Sequence, residues 1–218
     1  MAKQGAARSH FWSILVAAVV AALYLVSVSQ PAQTAFSPRL TYRTKAGVTL
    51  ECAVRYGASR LPELLELSAA LQAPVAYFVT LEFAERCPEL FGQLCESGAQ
   101  VGLLAAGEPD FAQEIARAQE VFLARGLTLT HVMPADDKKA GPLSAAAHEA
   151  GLATMVCTFE LRARSTDPAG LVAKVKSSLF DGAVVRFEPT LLTVEAFPQI
   201  VEAIRERGLV FNTLTSAN

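Results

Sequence analysis

Histidine is scarce in this 218-residue chain: three exist, and His10 lies ahead of a long apolar run. His131 and His148 remain, seventeen residues apart, and they spell no H-x-x-H, H-E-x-x-H or His/Cys cluster. That excludes a zinc site of ordinary ligand type. His131 falls in a strand pattern and His148 on a helix face, positions of core and surface residues rather than ligands. No C-x-x-C, G-x-S-x-G, P-loop or G-x-G-x-x-G is present, so no dithiol redox centre, nucleophile elbow or nucleotide cradle is written in the chain. Ser59, Ser144 and Ser165 lie near strand ends without a motif around them. Net charge is −2 and the pI about 6.0, so no nucleic acid partner is expected. No cofactor and no catalytic or metal-ligating set emerges.

Apolar residues, by contrast, make up 52%, and residues 11–28 (FWSILVAAVVAALYLVSV) hold no charge over eighteen positions. That length is just enough for a membrane-spanning helix. Lys3 and Arg8 precede it and no cation follows before Arg39. The positive-inside rule then puts residues 1–10 in the cytoplasm and the folded part outside the cell membrane. Trp12 and Tyr24 stand near the ends, where amphipathic rings favour the interface. The competing reading is a cleaved signal peptide with Ser27 and Ser29 before the cut. Residues 29–46, with Pro31 and Pro38, read as a stalk.

Four cysteines in an exported protein raise the question of disulfides. Cys87 and Cys95 flank one predicted helix, and eight residues of helix span about 12 Å, too far for a bond. Cys52 and Cys157 sit in apolar strand runs and read as buried thiols, with a bridge open only if their strands are neighbours.

From residue 47 onward strand and helix patterns alternate. Strands are predicted at 48–54, 74–80, 100–104, 127–132, 152–159, 183–187 and 209–214. Helices are predicted between them, with Pro62, Pro88 and Pro168 in first turns and Gly98, Gly126, Gly151 and Gly208 as stops. Asp110 with Gln113 makes a capping-box-like start. Seven strands and six helices in alternation mean parallel strands with right-handed crossovers. A barrel and an open doubly wound sheet both satisfy the pattern.

Either scaffold carries its chemistry on the loops after the strands. Glu108, Asp136, Asp137, Glu160 and Glu188 fall there, among Arg55, Tyr56, Lys138, Lys139, Arg162 and Arg164. Convergent carboxylates would suit Mg²⁺ or Ca²⁺; interspersed cations make the rim a mixed-charge surface instead. Arg55, Tyr56, Glu108, Asp136, Asp137, Glu160 and Glu188 are the candidate pocket rim.

Residues 75–80 (VAYFVT), 83–90 (FAERCPEL) and 96–102 (ESGAQVG) resemble the NodB-homology domain of polysaccharide deacetylases. Gly182-Ala183-Val184-Val185, residues 196–200 (AFPQI) and 208–214 (GLVFNTL) are similar to that family's closing strand–helix–strand. The resemblance covers about residues 47–215 and implies a distorted (β/α)₇ barrel. It also implies a divalent metal that polarises an N-acetyl carbonyl, with a carboxylate base and a histidine acid. The motifs for that chemistry are replaced. Arg55 and Tyr56 stand where T-F-D-D-G has its base and metal aspartates. Leu104 and Glu108 stand where H-S/T-x-x-H has its histidines. Val132 takes the arginine place of R-x-P, which keeps Pro134, and Glu188 takes that of the late histidine. The resemblance therefore implies a membrane-anchored, catalytically inactive relative in the cell envelope, with a role in sporulation among those open to it. Its expected partner is a cell-wall glycan or an envelope protein. The alternative is an active N-deacetylase with a relocated site built from Glu108, Asp136, Asp137 and Glu188.

Overall fold

Residue 48 begins a strand, β2 (Val48–Val54), whose residues are all buried. A strand covered on both faces needs layers above and below it, and here the two layers differ. Val48, Leu50, Cys52 and Val54 join one apolar cluster with residues from every helix, among them Leu64, Phe83, Phe91, Phe122, Leu143, Val175 and Phe197. Ala53 points the other way, into a cluster with Ala76, Phe78, Leu104, Met133, Met155 and Leu214 that contains no helical residue. All described helices therefore cover one face, and the other face packs on itself. A doubly wound sheet would carry helices on both faces, so the barrel arrangement is the one adopted.

The computed structural model describes residues 40–41, 46–161 and 167–214. Within them lie β1 (Leu40–Thr41), β2, α1 (Leu61–Ala70), β3 (Val75–Val79), α2 (Leu81–Arg86), α3 (Pro88–Glu96), β4 (Gln100–Ala105), α4 (Phe111–Leu123), β5 (His131–Pro134), a 3₁₀ turn (Asp137–Lys139) and α5 (Ala140–Glu149). After these come β6 (Ala153–Met155), β7 (Phe159–Leu161), α6 (Pro168–Ser178), β8 (Val184–Phe187), α7 (Leu191–Glu206) and β9 (Phe211–Asn212). All ladders are parallel, in the order β1-β6-β5-β4-β3-β2-β8-β7, and β9 pairs with the first residues of β2.

β6 and β7 lie near opposite ends of this order, yet only Val156, Cys157 and Thr158 separate them. Four residue steps reach at most about 14 Å, so the sheet must curl until its edges nearly meet. The result is an incomplete parallel barrel, with no ladder joining β7 to β1 among the described residues. The predicted strand 152–159 is thus split in two. Thr158 crosses to β8, its N–H bonding the Val184 carbonyl at 2.8 Å and its hydroxyl accepting from the Val184 N–H at 3.0 Å.

Three further details depart from the sequence reading. The strand expected at 127–132 begins at His131, because the Leu127 N–H closes α4 by bonding the Phe122 carbonyl. An additional helix, α2, starts at Thr80, whose hydroxyl accepts from the Phe83 N–H. Leu40 and Thr41, in the expected stalk, pair with Thr154 and Met155. The Asp110 cap is present, with its carboxylate accepting from both the backbone and side chain of Gln113. All four cysteines are free thiols. No described helix is long and apolar enough to cross a membrane, and the expected span at residues 11–28 lies outside the described residues.

Candidate functional site

Parallel strands deliver their C-terminal ends to one rim, where a cavity of about 520 Å³ opens. Its walls come from Arg55 after β2, the Ala135–Asp136–Asp137–Lys138 turn after β5, Glu160 and Leu161 of β7, Arg186 of β8 and Glu188 just after it, and Thr190 and Thr193 at the start of α7. Five candidate rim residues, Arg55, Asp136, Asp137, Glu160 and Glu188, are thus brought together. Tyr56 and Glu108 are not among the lining residues. Tyr56 stands beside Arg55, 55% exposed, with the Arg86 guanidinium 5.3 Å from its ring centroid. Glu108 is exposed on the loop after β4. Arg162, Arg164 and Ser165 lie outside the described residues.

The mouth is cross-linked by its own charges. The Arg55 guanidinium donates to Glu188 at 3.2 Å and to the Ala135 carbonyl at 3.3 Å, tying the ends of β2, β5 and β8 together. Both partners of the Arg55–Glu188 pair are about half exposed, so the pair contributes at most about 1 kcal/mol, but it bridges two walls of the mouth. The loop after β4 is fixed from below. Buried Glu114 of α4 accepts from the N–H groups of Ala106 and Gly107 at 2.9 and 2.6 Å, and Lys139 donates to the Ala106 carbonyl.

Deeper in the barrel stands a polar group that the sequence reading passed over. Glu51 and Arg186 are direct partners in the β2–β8 register and are 0% and 4% exposed. Arg186 donates from Nη1 to Asp137 at 3.0 Å. Its Nε and Nη2, both Glu51 oxygens and the Thr49 hydroxyl have no partner. Burial pushes the Glu51 carboxyl up to about 8, opposed by Arg186 and reinforced by Asp137, so Glu51 is an uncharged acid at neutral pH. Cys157, near this group, is pushed by burial to about 12 and stays a thiol. One signal existed in the sequence: a lone charge in each of two apolar strand runs, residues 48–54 and 184–187.

The metal of the deacetylase chemistry does not fit these residues. Of the positions matching its ligands, Tyr56 offers a phenol, Leu104 offers no lone pair and is fully buried in the inner cluster, and Glu108 faces solvent away from the cavity. Among the described residues no group of three or more His, Cys, Asp or Glu is placed to hold an ion.

Comparison with solved structures identifies the fold. The pseudoenzyme BA3943 of Bacillus anthracis, from carbohydrate esterase family 4, superposes with a TM-score of 0.72 at 18% identity, over 81% of this chain and 67% of that one. A BA3943 mutant with restored enzymatic activity gives 0.74 at 17%, over 81% and 70%. The family 4 carbohydrate esterase of Streptomyces lividans, in complex with acetate, gives 0.69 at 17%, over 79% and 94%. No family model matches the chain, and no curated protein does either. The fold is that of the NodB-like polysaccharide deacetylases, as the residues at 75–102 and 182–214 led one to expect.

Proposed function

We propose that this chain is a catalytically inactive, deacetylase-like protein of the cell envelope, anchored by residues 11–28 and using its cavity to bind a glycan or a protein partner rather than to cleave one. The observation that carries this reading is the state of the mouth. Where a hydrolytic centre needs free, convergent donors, Arg55 is tied to Glu188 and Arg186 to Asp137. A guanidinium at the mouth also repels a divalent cation. The likeness to BA3943, itself a pseudoenzyme, supports the same direction.

Glycan is the first partner to test, because cavity carboxylates, guanidinium groups and the Thr190 and Thr193 hydroxyls suit sugar hydroxyls, and exposed Tyr56 offers a stacking ring at the lip. The full chain should be retained on insoluble peptidoglycan or chitin, and Tyr56→Ala should be retained several-fold less. Equal retention of the two proteins would remove the glycan and leave a protein partner. Acetate released from acetylated chito-oligosaccharides on addition of Zn²⁺, Co²⁺, Mn²⁺ or Mg²⁺ would overturn the claim of inactivity.

A further inference from the structure

Glu51 and Arg186 face each other across adjacent strands inside the barrel, yet no bond joins them. Among the described residues the side-chain hydrogen bond of Arg186 goes to Asp137, which is 47% exposed on the one-turn helix at the cavity wall. One buried guanidinium thus lies between a wet carboxyl, Asp137, and a dry one, Glu51, with Glu160 beside it on β7. Water can solvate Asp137 if the arginine leaves. Among the described residues Arg186 is the cation beside Glu51 in register, and both Glu51 oxygens are fully enclosed with no partner.

That asymmetry makes the choice of partner depend on a proton. While Glu51 is neutral it asks little of its surroundings, and Arg186 gains more from the charged Asp137. Once Glu51 ionises, an unpaired buried carboxylate costs several kcal/mol, far more than a half-exposed ion pair returns. We propose that Arg186 is a two-position latch: its guanidinium holds Asp137 while Glu51 is protonated, and turns inward to Glu51 when that proton is lost, releasing the Asp137 turn from the cavity wall.

The groups facing Glu51 are consistent with this exchange. Arg186 faces it from β8, Asp137 from the turn after β5 and Cys157 from the β6–β7 link, while Glu160 of β7 stands beside Arg186 in register. Among the described residues Arg186 is the one cation in this set. Burial sets the Glu51 carboxyl near 8, so the exchange falls in the neutral to mildly alkaline range. Both Arg186 and Asp137 line the cavity, so the latch changes its wall whatever the cavity binds; the inference does not rest on glycan recognition.

The test is an NMR titration of the labelled full chain from pH 5 to pH 10, reading the Glu51 carboxyl carbon and the Arg186 Nε–H. The two signals should move with one midpoint. In Glu51→Gln the Arg186 signal should stay fixed over the same range. In Asp137→Asn, where the competing negative charge on Arg186 is gone, the Glu51 midpoint should fall by about one unit, a tenfold change in acidity. An Arg186 signal that ignores the Glu51 titration, or that moves equally in Glu51→Gln, would overturn the latch. Wild-type protein alone supplies the decisive reading, so a variant that folds poorly does not leave the matter open.

Discussion

Replacing Glu51 by glutamine should change the pH dependence of stability more than any surface substitution. The carboxyl has an ordinary value of 4.5 and is raised to about 8 in the folded barrel. A group whose folded value is raised contributes its stabilisation below the unfolded value and loses it as pH climbs toward the folded one. Between pH 5 and pH 8 the unfolded chain ionises Glu51 freely while the folded chain largely cannot. At about 1.4 kcal/mol per unit, the wild type should lose about 3 kcal/mol relative to Glu51→Gln over that interval. The assay is urea unfolding of both proteins at half-unit pH steps, plotted as the difference so that every other titrating group cancels. Glutamine keeps the shape of the side chain, so the curves should lie close together near pH 5 and separate upward. A difference constant within about 1 kcal/mol across the range would show that Glu51 is already satisfied in its charged form and would refute the reasoning.

Arg186→Met should break the usual rule that truncating a core residue destabilises. At pH 6, where Glu51 is neutral, the change removes a buried charge with two unpartnered nitrogens and strands only a half-exposed Asp137, so stability should rise by about 1–3 kcal/mol; a fall of about 2 kcal/mol in urea titration would contradict the assignment. Gly102→Ala should act the other way. An added Cβ would sit 2.8 Å from the His131 carbonyl and 2.7 Å from the Phe78 ring, and neither the ladder nor the enclosed ring can give way freely. A loss of about 1–3 kcal/mol is expected on thermal or chemical unfolding; an unchanged midpoint would mean that the barrel is looser there than its contacts imply.

The frame was legible in the sequence because its signals are local. Proline in first turns, glycine stops and the Asp110 cap mark helix starts and ends within a residue or two; that cap forms as read, and Asp167, just before Pro168, caps α6 in the same way. Strand limits were less legible where a helix ending borrows the first residues of an apolar run, as Leu127 and Leu152 do when they bond back to Phe122 and Ala147. The break at residues 156–158 has no local cause: the chain leaves one sheet edge for the other because the sheet curls, and curl belongs to all strands together. The cavity rim was half legible. Position after a strand end is a sequence property, and it gathered Arg55, Asp136, Asp137, Glu160 and Glu188. Whether a side chain at such a position turns inward is decided by neighbouring strands, which left Glu108 and Tyr56 outside. Glu51 and Arg186 went unread because each, seen alone, looks like a solvent-facing residue of an amphipathic strand, and only the β2–β8 pairing encloses them both.

β9 and the residue pair after it stopper the barrel from below. Phe211 and Asn212 pair with the first residues of β2, Gln100 grips the Leu214 backbone through both its amide atoms at 2.6 and 2.8 Å, and the Leu214 side chain enters the inner cluster beside Ala53 and Phe78. During synthesis these residues leave the ribosome after all the other strands. The interior thus stays uncorked until every other described strand has been made, so its closure comes last among the strand pairings as the chain emerges.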